Sequence, residues 1–269
     1  MTEDLSARLS DLDLSNRLAD AARDAILPYF RQAGLPSQNK DNSGFDPVTA
    51  ADRAAELAMR NLLSQHRPED GIWGEEFGRT PGESGREWVI DPIDGTRAFI
   101  CGAPTWGVLI ALSDASGPIL GVIDQPYTRE RFIGGPGVAE MTGPAGRITL
   151  ATRRVTDLSE AVLFSTFPEV GSTEELAGFE AVSKAVRLTR FGMDCYAYAL
   201  LAAGHVDLVI EAGLNAYDIQ APIAVIEAAG GIVTDWRGRP AHMGGRVLAA
   251  SNADLHQAAL TLLGNTPDT

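Results

Sequence analysis

Two aspartates three residues apart, Asp91 and Asp94, close an apolar run in the segment Trp88-Val-Ile-Asp-Pro-Ile-Asp-Gly-Thr-Arg-Ala-Phe99. Alone, a D-P-x-D-G sequence is turn chemistry, because Asp, Pro and Gly all favour chain reversal. Two other acidic clusters change the weighing: Gly74-Glu75-Glu76 and Ala216-Tyr217-Asp218 each follow an apolar run of their own. Carboxylates gathered in a low-dielectric fold repel and raise one another's pKa, so a chain that converges them usually offers them cations. Oxygen-only ligands select hard ions, and Mg²⁺ prefers a few carboxylates, retained water and a substrate phosphate. The chemistry suggested is a divalent metal bridging acidic side chains to a phosphate.

Charge supports the same arrangement. With 36 acidic and 22 basic side chains the net charge is −14, which excludes nucleic acid and anionic membrane as expected partners. A phosphate would meet the same repulsion unless metal ions offset it. The four histidines, His66, His205, His242 and His256, lack metal-ligand spacing and read as surface or packing residues. No G-x-S-x-G elbow occurs, and neither Cys101 nor Cys195 has a nearby histidine, so nucleophilic catalysis is not expected. The two cysteines, far apart and without zinc-like spacing, read as reduced thiols. The acidic, polar start MTEDLSARLSDLDLSNRL is unlike a signal peptide and the apolar stretches are short, so a cytoplasmic protein is expected.

A chain of 269 residues with 45% apolar content can build one large domain or two modest ones. Leu5, Leu9, Leu12, Leu18, Ala22 and Ile26 recur at helical spacing over 3–33, with Pro28 as a candidate kink. A polar loop over 37–47 and a second helix from Ala50 to Gln65 follow. Short apolar runs at 71–73, 87–90, 106–112, 119–123 and 131–133 predict a mostly antiparallel sheet. The glycine- and proline-rich segment 134–146 is the expected boundary, giving parts 1–143 and 144–269. The second part alternates strands at 162–165, 184–189, 206–210 and 231–235 with helices at 173–184, 195–203, 219–229 and 251–263, an α/β layered pattern. The tryptophans Trp73, Trp88, Trp106 and Trp236 lie in or beside apolar runs and read as core.

Four segments in order, Asp46-Pro-Val-Thr-Ala-Ala-Asp52, Gly74-Glu-Glu76, Asp91-Pro-Ile-Asp-Gly-Thr96 and Tyr217-Asp-Ile-Gln-Ala221, resemble the signature segments of the inositol monophosphatase family of Mg²⁺-dependent, lithium-sensitive phosphatases. The resemblance spans nearly the whole chain, with Tyr217 standing where the family usually has tryptophan. The segments 74–78, 94–112 and 187–218 look like the histidinol-phosphatase branch, although Met193 departs from its usual G-G-D-C-Y.

That resemblance implies an α/β fold in alternating α-β-α-β-α layers, two or three Mg²⁺ per active site and a homodimer. It implies that Glu75, Asp91, Asp94 and Asp218 ligate metal with carboxylates and Ile93 with its carbonyl, and that Glu76 stands behind them. Asp52, Glu75 and Thr96 would be catalytic, Thr96 holding the attacking water and Asp52 accepting its hydroxyl bond; Thr49-x-x-Asp52 is also a helix capping box. Gly95 and Thr96 would offer backbone N–H groups to phosphate, where glycine allows close approach. Asp94, Gly95, Thr96, Arg97, Asp194, Glu211 and Asp218 would contact the substrate, a small phosphomonoester. Asp194 and Glu211 would suit the ammonium and imidazole of L-histidinol phosphate, while Asp194 is also a candidate N-cap and Glu211 serves polyol hydroxyls equally. Inositol 1-phosphate or a broad range of sugar phosphates is the alternative, followed by a nucleotide 3′-phosphate and by a non-catalytic phosphate-binding relative.

Overall fold

Along the run from Glu87 to Asp94 the apolar side chains alternate between two different cores, Trp88 and Ile90 in one and Val89 in the other. That period of two marks a strand buried on both faces, and the same split recurs wherever a sheet lies between helical layers. The computed structural model describes residues 10–32, 37–39, 47–264 and 266–267.

The first half runs α1 (Asp11–Ile26), β1 (Ser37–Asn39), β2 (Pro47–Thr49), α2 (Ala50–His66), β3 (Gly71–Gly74), β4 (Gly78–Thr80), β5 (Glu87–Asp94), α3 (Thr96–Cys101), β6 (Gly107–Asp114), β7 (Gly117–Gln125), β8 (Glu130–Gly135), β9 (Val138–Gly143) and β10 (Gly146–Thr149). The second half runs β11 (Val162–Ser165), α4 (Thr173–Ser183), β12 (Leu188–Phe191), α5 (Tyr196–Ala202), β13 (Leu208–Leu214), α6 (Ala216–Ala228), β14 (Ile232–Thr234), β15 (Gly245–Ala250) and α7 (Ala253–Leu263).

An eight-stranded sheet, in the order β10-β9-β8-β7-β6-β5-β3-β4, is antiparallel except for the β3/β5 pair. A five-stranded sheet in the order β12-β11-β13-β15-β14 is mixed. Helices α1 and α2 cover one face of the larger sheet, where Leu14, Leu18 and Leu63 pack with Trp88, Ile110 and Val122. Each fully buried leucine there contributes roughly 1.5–3 kcal/mol relative to exposure. The opposite face supplies Val89, Leu109 and Ile123 to a middle core shared with α5, α6 and the smaller sheet's Val209 and Ala249. The outer face of that smaller sheet, with Leu208, Ile210 and Leu248, packs on Phe179 of α4 and Leu255 of α7. The layers are therefore α-β-α-β-α. Helix α6 lies in the middle with every residue from Ile219 to Ile226 buried, as an all-round apolar helix requires.

Several expectations need correction. The first helix starts at Asp11, capped by Ser10 accepting from the Asp13 N–H at 3.0 Å, and ends before Pro28, which therefore kinks nothing. Residues 3–9, residue 33 and Asp46 lie outside the described residues. The 134–146 segment is not a loop, since its glycines fall in or beside β8, β9 and β10, which extend the larger sheet. The strand expected at 184–189 is at Leu188–Phe191, and the helix expected from Ile219 starts at Ala216. Strands β1, β2, β4, β9 and β10 had no counterpart among the expected strands, nor had β15, which lies between β13 and β14.

Candidate active site

In an unbroken strand two residues three apart face opposite sides. Asp91 and Asp94 avoid this through a bulge: Asp91 is opposite Leu109 and Asp94 opposite Gly107, so three steps along β5 match two along β6. The extra residue reverses the alternation and re-aims the second acid. Pro92 is tolerated inside the bulge because it has no N–H to contribute to the ladder. Asp91 Oδ1 accepts the Ile93 N–H at 3.0 Å, tightening the turn. Asp91, Asp94 and Asp218 thereby each bring a carboxylate oxygen within 4.8 Å of the others.

Glu75 reaches the same place from β3. Because β3 and β5 are parallel with Gly74 beside Ile90, the chain leaves both strands side by side, and the Glu75 N–H donates to the Ile90 carbonyl at 3.3 Å. Carboxyl ends of parallel strands are where α/β folds present ligand sites.

Asp52 and Asp218 hold equivalent positions in their helices. Asp218 Oδ2 accepts the Asn215 N–H at 2.7 Å at the start of α6, and Asp52 Oδ2 accepts the Thr49 N–H at 2.8 Å at the start of α2. In each case one oxygen completes a capping box, which leaves the second oxygen for other work. Asp52 Oδ1 lies 3.5 Å from Thr96 Oγ1, which also sits 3.0 Å from the Ile93 carbonyl. The capping and threonine-contacting readings of Asp52 are thus both present in the geometry.

Electrostatically the cluster is under strain. Burial, then the neighbouring charges of Glu75, Asp94 and Asp218, holds the Asp91 carboxyl well above its usual range. Burial with repulsion from Asp218 and Asp194 does the same to Asp94, partly offset by the Cys195 N–H. Asp218 is pushed up to about 7, mainly by burial and against the Asn215 N–H. Burial also raises Asp52, against its bonds to Thr49.

Gly95 joins the cluster to the other half. Its φ of 85° is left-handed, and a Cβ there would lie 2.7 Å from Asp194 Cγ, so both conformation and space demand glycine. Asp194 itself has φ 47° and does not cap α5, whose N-cap is Cys195; its Oδ2 instead accepts from Thr105 Oγ1 at 2.8 Å. Burial raises its pKa, with Thr105 and Arg97 opposing. Glu211 is buried, receiving the Thr166 N–H at 2.9 Å and the Tyr198 hydroxyl at 2.7 Å, and burial outweighs these bonds to raise it.

A cleft of about 380 Å³ is lined by Glu75, Asp91, Ile93, Asp94, Gly95, Thr96, Arg97, Asp194, Glu211 and Asp218. Asp52 lies behind Thr96 and does not line it, and Arg187, Arg190 and the four histidines are also absent from its walls. Glu76 is turned to Arg53, 4.0 Å away. The exposed Arg97 guanidinium stacks 5.0 Å from the Phe167 ring. Sequence reading missed Thr105, Thr166, Phe167 and Tyr198, none of which carries a local signal. It also missed Glu56, whose place one helical turn after Asp52 was such a signal.

The donor set suits a hard cation. It consists of oxygen atoms alone, drawn from acids that repel one another, and such sets select Mg²⁺, Ca²⁺ or Mn²⁺ over softer ions.

The model of the inositol monophosphatase family matches residues 10–266. The chain is 42% identical to the chloroplastic bifunctional phosphatase IMPL2 of Arabidopsis thaliana, over 96% of this chain and 78% of that protein. It is 37% identical to a histidinol-phosphatase of Streptomyces coelicolor, over 95% and 97%. Among solved structures, an inositol monophosphatase from Zymomonas mobilis superposes with a TM-score of 0.82 at 42% identity, covering 94% of this chain and 97% of that one. Among the described residues no helix is long and apolar enough to cross a membrane.

Proposed function

Because the chain belongs to the inositol monophosphatase family, whose members are metal-dependent phosphatases, we propose that it is a Mg²⁺-dependent phosphomonoesterase that hydrolyses L-histidinol phosphate to L-histidinol and inorganic phosphate, a step of histidine biosynthesis. Glu75, Asp91, Asp94, Asp218 and the Ile93 carbonyl would hold the ions. When bound, these would neutralise phosphate charge and lower the pKa of the attacking water.

The chain's own residues do the positioning. Thr96 Oγ1, donating toward Ile93 or Asp52, keeps a lone pair with which to accept a hydrogen bond from the attacking water and aim it at phosphorus. Asp52, anchored at the start of α2, keeps that hydroxyl in place. Glu75 counts with them as catalytic, since it lines the same cleft as Thr96. Gly95 has no side chain to cap α3, and its N–H and that of Thr96 would face the phosphate.

One observation carries the substrate assignment: the Asp194 carboxylate is held by Thr105 at the cleft wall and not spent on capping α5. With Glu211 nearby, the leaving-group side is acidic, and histidinol offers it an ammonium and an imidazole. Asp94 and Asp218 would complete the substrate contacts, and Arg97 the rim. A second reading, inositol 1-phosphate, is favoured by the name of the Zymomonas structure and by Glu211, which can accept from hydroxyls. A homodimer and a cytoplasmic location belong to the same proposal.

The test is phosphate release from both esters in parallel, with Mg²⁺ and then with EDTA. Preference for histidinol phosphate that vanishes with chelator is expected; preference for inositol 1-phosphate would overturn the substrate, and turnover indifferent to EDTA the metal.

A further inference from the structure

Helix α2 carries two fully buried acids one turn apart, Asp52 and Glu56, and only the first has a role above. Glu56 Oε1 pairs with Arg60 Nε at 2.7 Å and accepts the Phe77 N–H at 3.1 Å, while Oε2 accepts the Glu76 N–H at 2.7 Å. Arg60 continues to the Gly78 carbonyl and to Thr80 Oγ1 at 3.2 Å, so the helix, the Gly74–Phe77 turn and β4 are joined through one ion pair. The approach is close enough that a Cβ on Gly74 would lie 2.0 Å from Glu56 Oε1. Glu75 sits inside this turn, its own N–H fixed by Ile90 and the next two by Glu56.

A buried ion pair is a poor stability device, since apolar residues of like volume often do as well. A carboxylate that satisfies two consecutive backbone donors does something apolar residues cannot, because it sets the position of the backbone it holds. We propose that Glu56, clamped by Arg60, is the positioning residue that fixes where the Glu75 carboxylate enters the acidic cluster. One rigid helix then places two parts of the site, the Thr96 segment through Asp52 and the Glu75 turn through Glu56. This inference rests on the reading of Glu75 as a metal ligand.

Glu56→Gln keeps the volume but turns one acceptor oxygen into an NH₂ where three donors converge. Hydrogen exchange at the Glu76 and Phe77 amides, read without metal, should accelerate in this variant. Mn²⁺ affinity, read by calorimetry on the EDTA-stripped and dialysed protein, should fall about 10–100-fold, the range for lost outer partners of metal ligands. The control is Leu63→Ala, which removes buried apolar volume from the same helix. It should lose thermal stability while its Mn²⁺ affinity stays within about twofold of wild type, as expected for a change that leaves the ligands and their partners in place. Wild-type exchange and affinity in Glu56→Gln, or an equal affinity loss in Leu63→Ala, would overturn the proposal. If Glu56→Gln does not fold, Arg60→Gln should move both readouts the same way. A wild-type protein that binds no Mn²⁺ at all would overturn the metal reading itself, whereas protected amides that do not respond to Glu56→Gln would overturn only this inference.

Discussion

Asp94 Oδ2 accepts the backbone N–H of Cys195 at 2.7 Å. This bond ties the acidic cluster on the larger sheet to the turn that presents Asp194, so the proposed metal-holding and substrate-facing parts of the cleft share a fixed distance. A charge-assisted bond of this kind is roughly twice as strong as a neutral one.

Asp94→Asn should keep the Cys195 bond, because an amide oxygen also accepts, while removing the negative charge. Turnover should fall by ~100-fold or more, beyond the loss seen for outer partners of ligands. Near-ultraviolet circular dichroism should stay at wild type. Normal turnover would leave Asp94 with a structural role only.

Asp194→Ala separates the substrates. Loss of a hydrogen bond to a charged group costs about 1.5–3 kcal/mol, which is roughly 10–150-fold in kcat/KM for histidinol phosphate. Inositol 1-phosphate should lose much less. Equal losses for the two esters would show that Asp194 supports the loop and does not select the leaving group.

Gly95→Ala places a side chain at φ 85° and a methyl 2.7 Å from Asp194 Cγ. The backbone strain alone costs about 1–2 kcal/mol. Urea denaturation should show a lower midpoint, and activity should fall further than stability because Asp194 must move. An unchanged midpoint would mean that the turn relaxes freely.

The raised acids make stability depend on pH in an unusual direction. Asp91, Asp94, Asp52, Asp194 and Glu211 are raised and Asp218 lies at about 7, so between the unfolded carboxylate range and about 7 the native state binds more protons than the unfolded one. Stability without metal should therefore decline as pH rises through that window. Asp124, Asp207 and Glu227, also raised by burial, act in the same direction, and His256, lowered by burial, works the other way as one group against nine. In EDTA the melting temperature should be higher near pH 5.5 than near pH 8, and Mg²⁺ should raise it more at the higher pH, where no proton need leave. A melting temperature in EDTA that climbs with pH would contradict the repulsion in the cluster.

Millimolar lithium should inhibit turnover by competing for an Mg²⁺ position, with relief as the Mg²⁺ concentration is raised. Full activity in lithium would argue against the proposed ligand arrangement.

Strands β5, β6 and β7 were legible because each is buried on both faces by different layers, which makes its sequence a short, nearly continuous apolar run. Strand β15 was not, since Arg246-Val-Leu-Ala-Ala250 is short and alanine-rich, and its central place comes from pairing with β13 and β14. The 134–146 segment misled for a related reason: its glycines sit at hairpin turns and inside strands whose partners supply the order.

For the cleft, sequence by itself determined which acids the chain owns, their order, and the cap at Thr49, because a capping box is a matter of residues three apart; the matching cap at Asn215 went unread together with the first turn of α6. Only the tertiary structure decided that Asp91 and Asp94 face one way, since the bulge exists only against β6. It alone turned Asp194 from α5 to Thr105 and set Glu56 under the Glu75 turn. Those contacts join residues 89 and 20 positions apart, and their energies depend on distances that packing of the layers creates and that no local preference encodes.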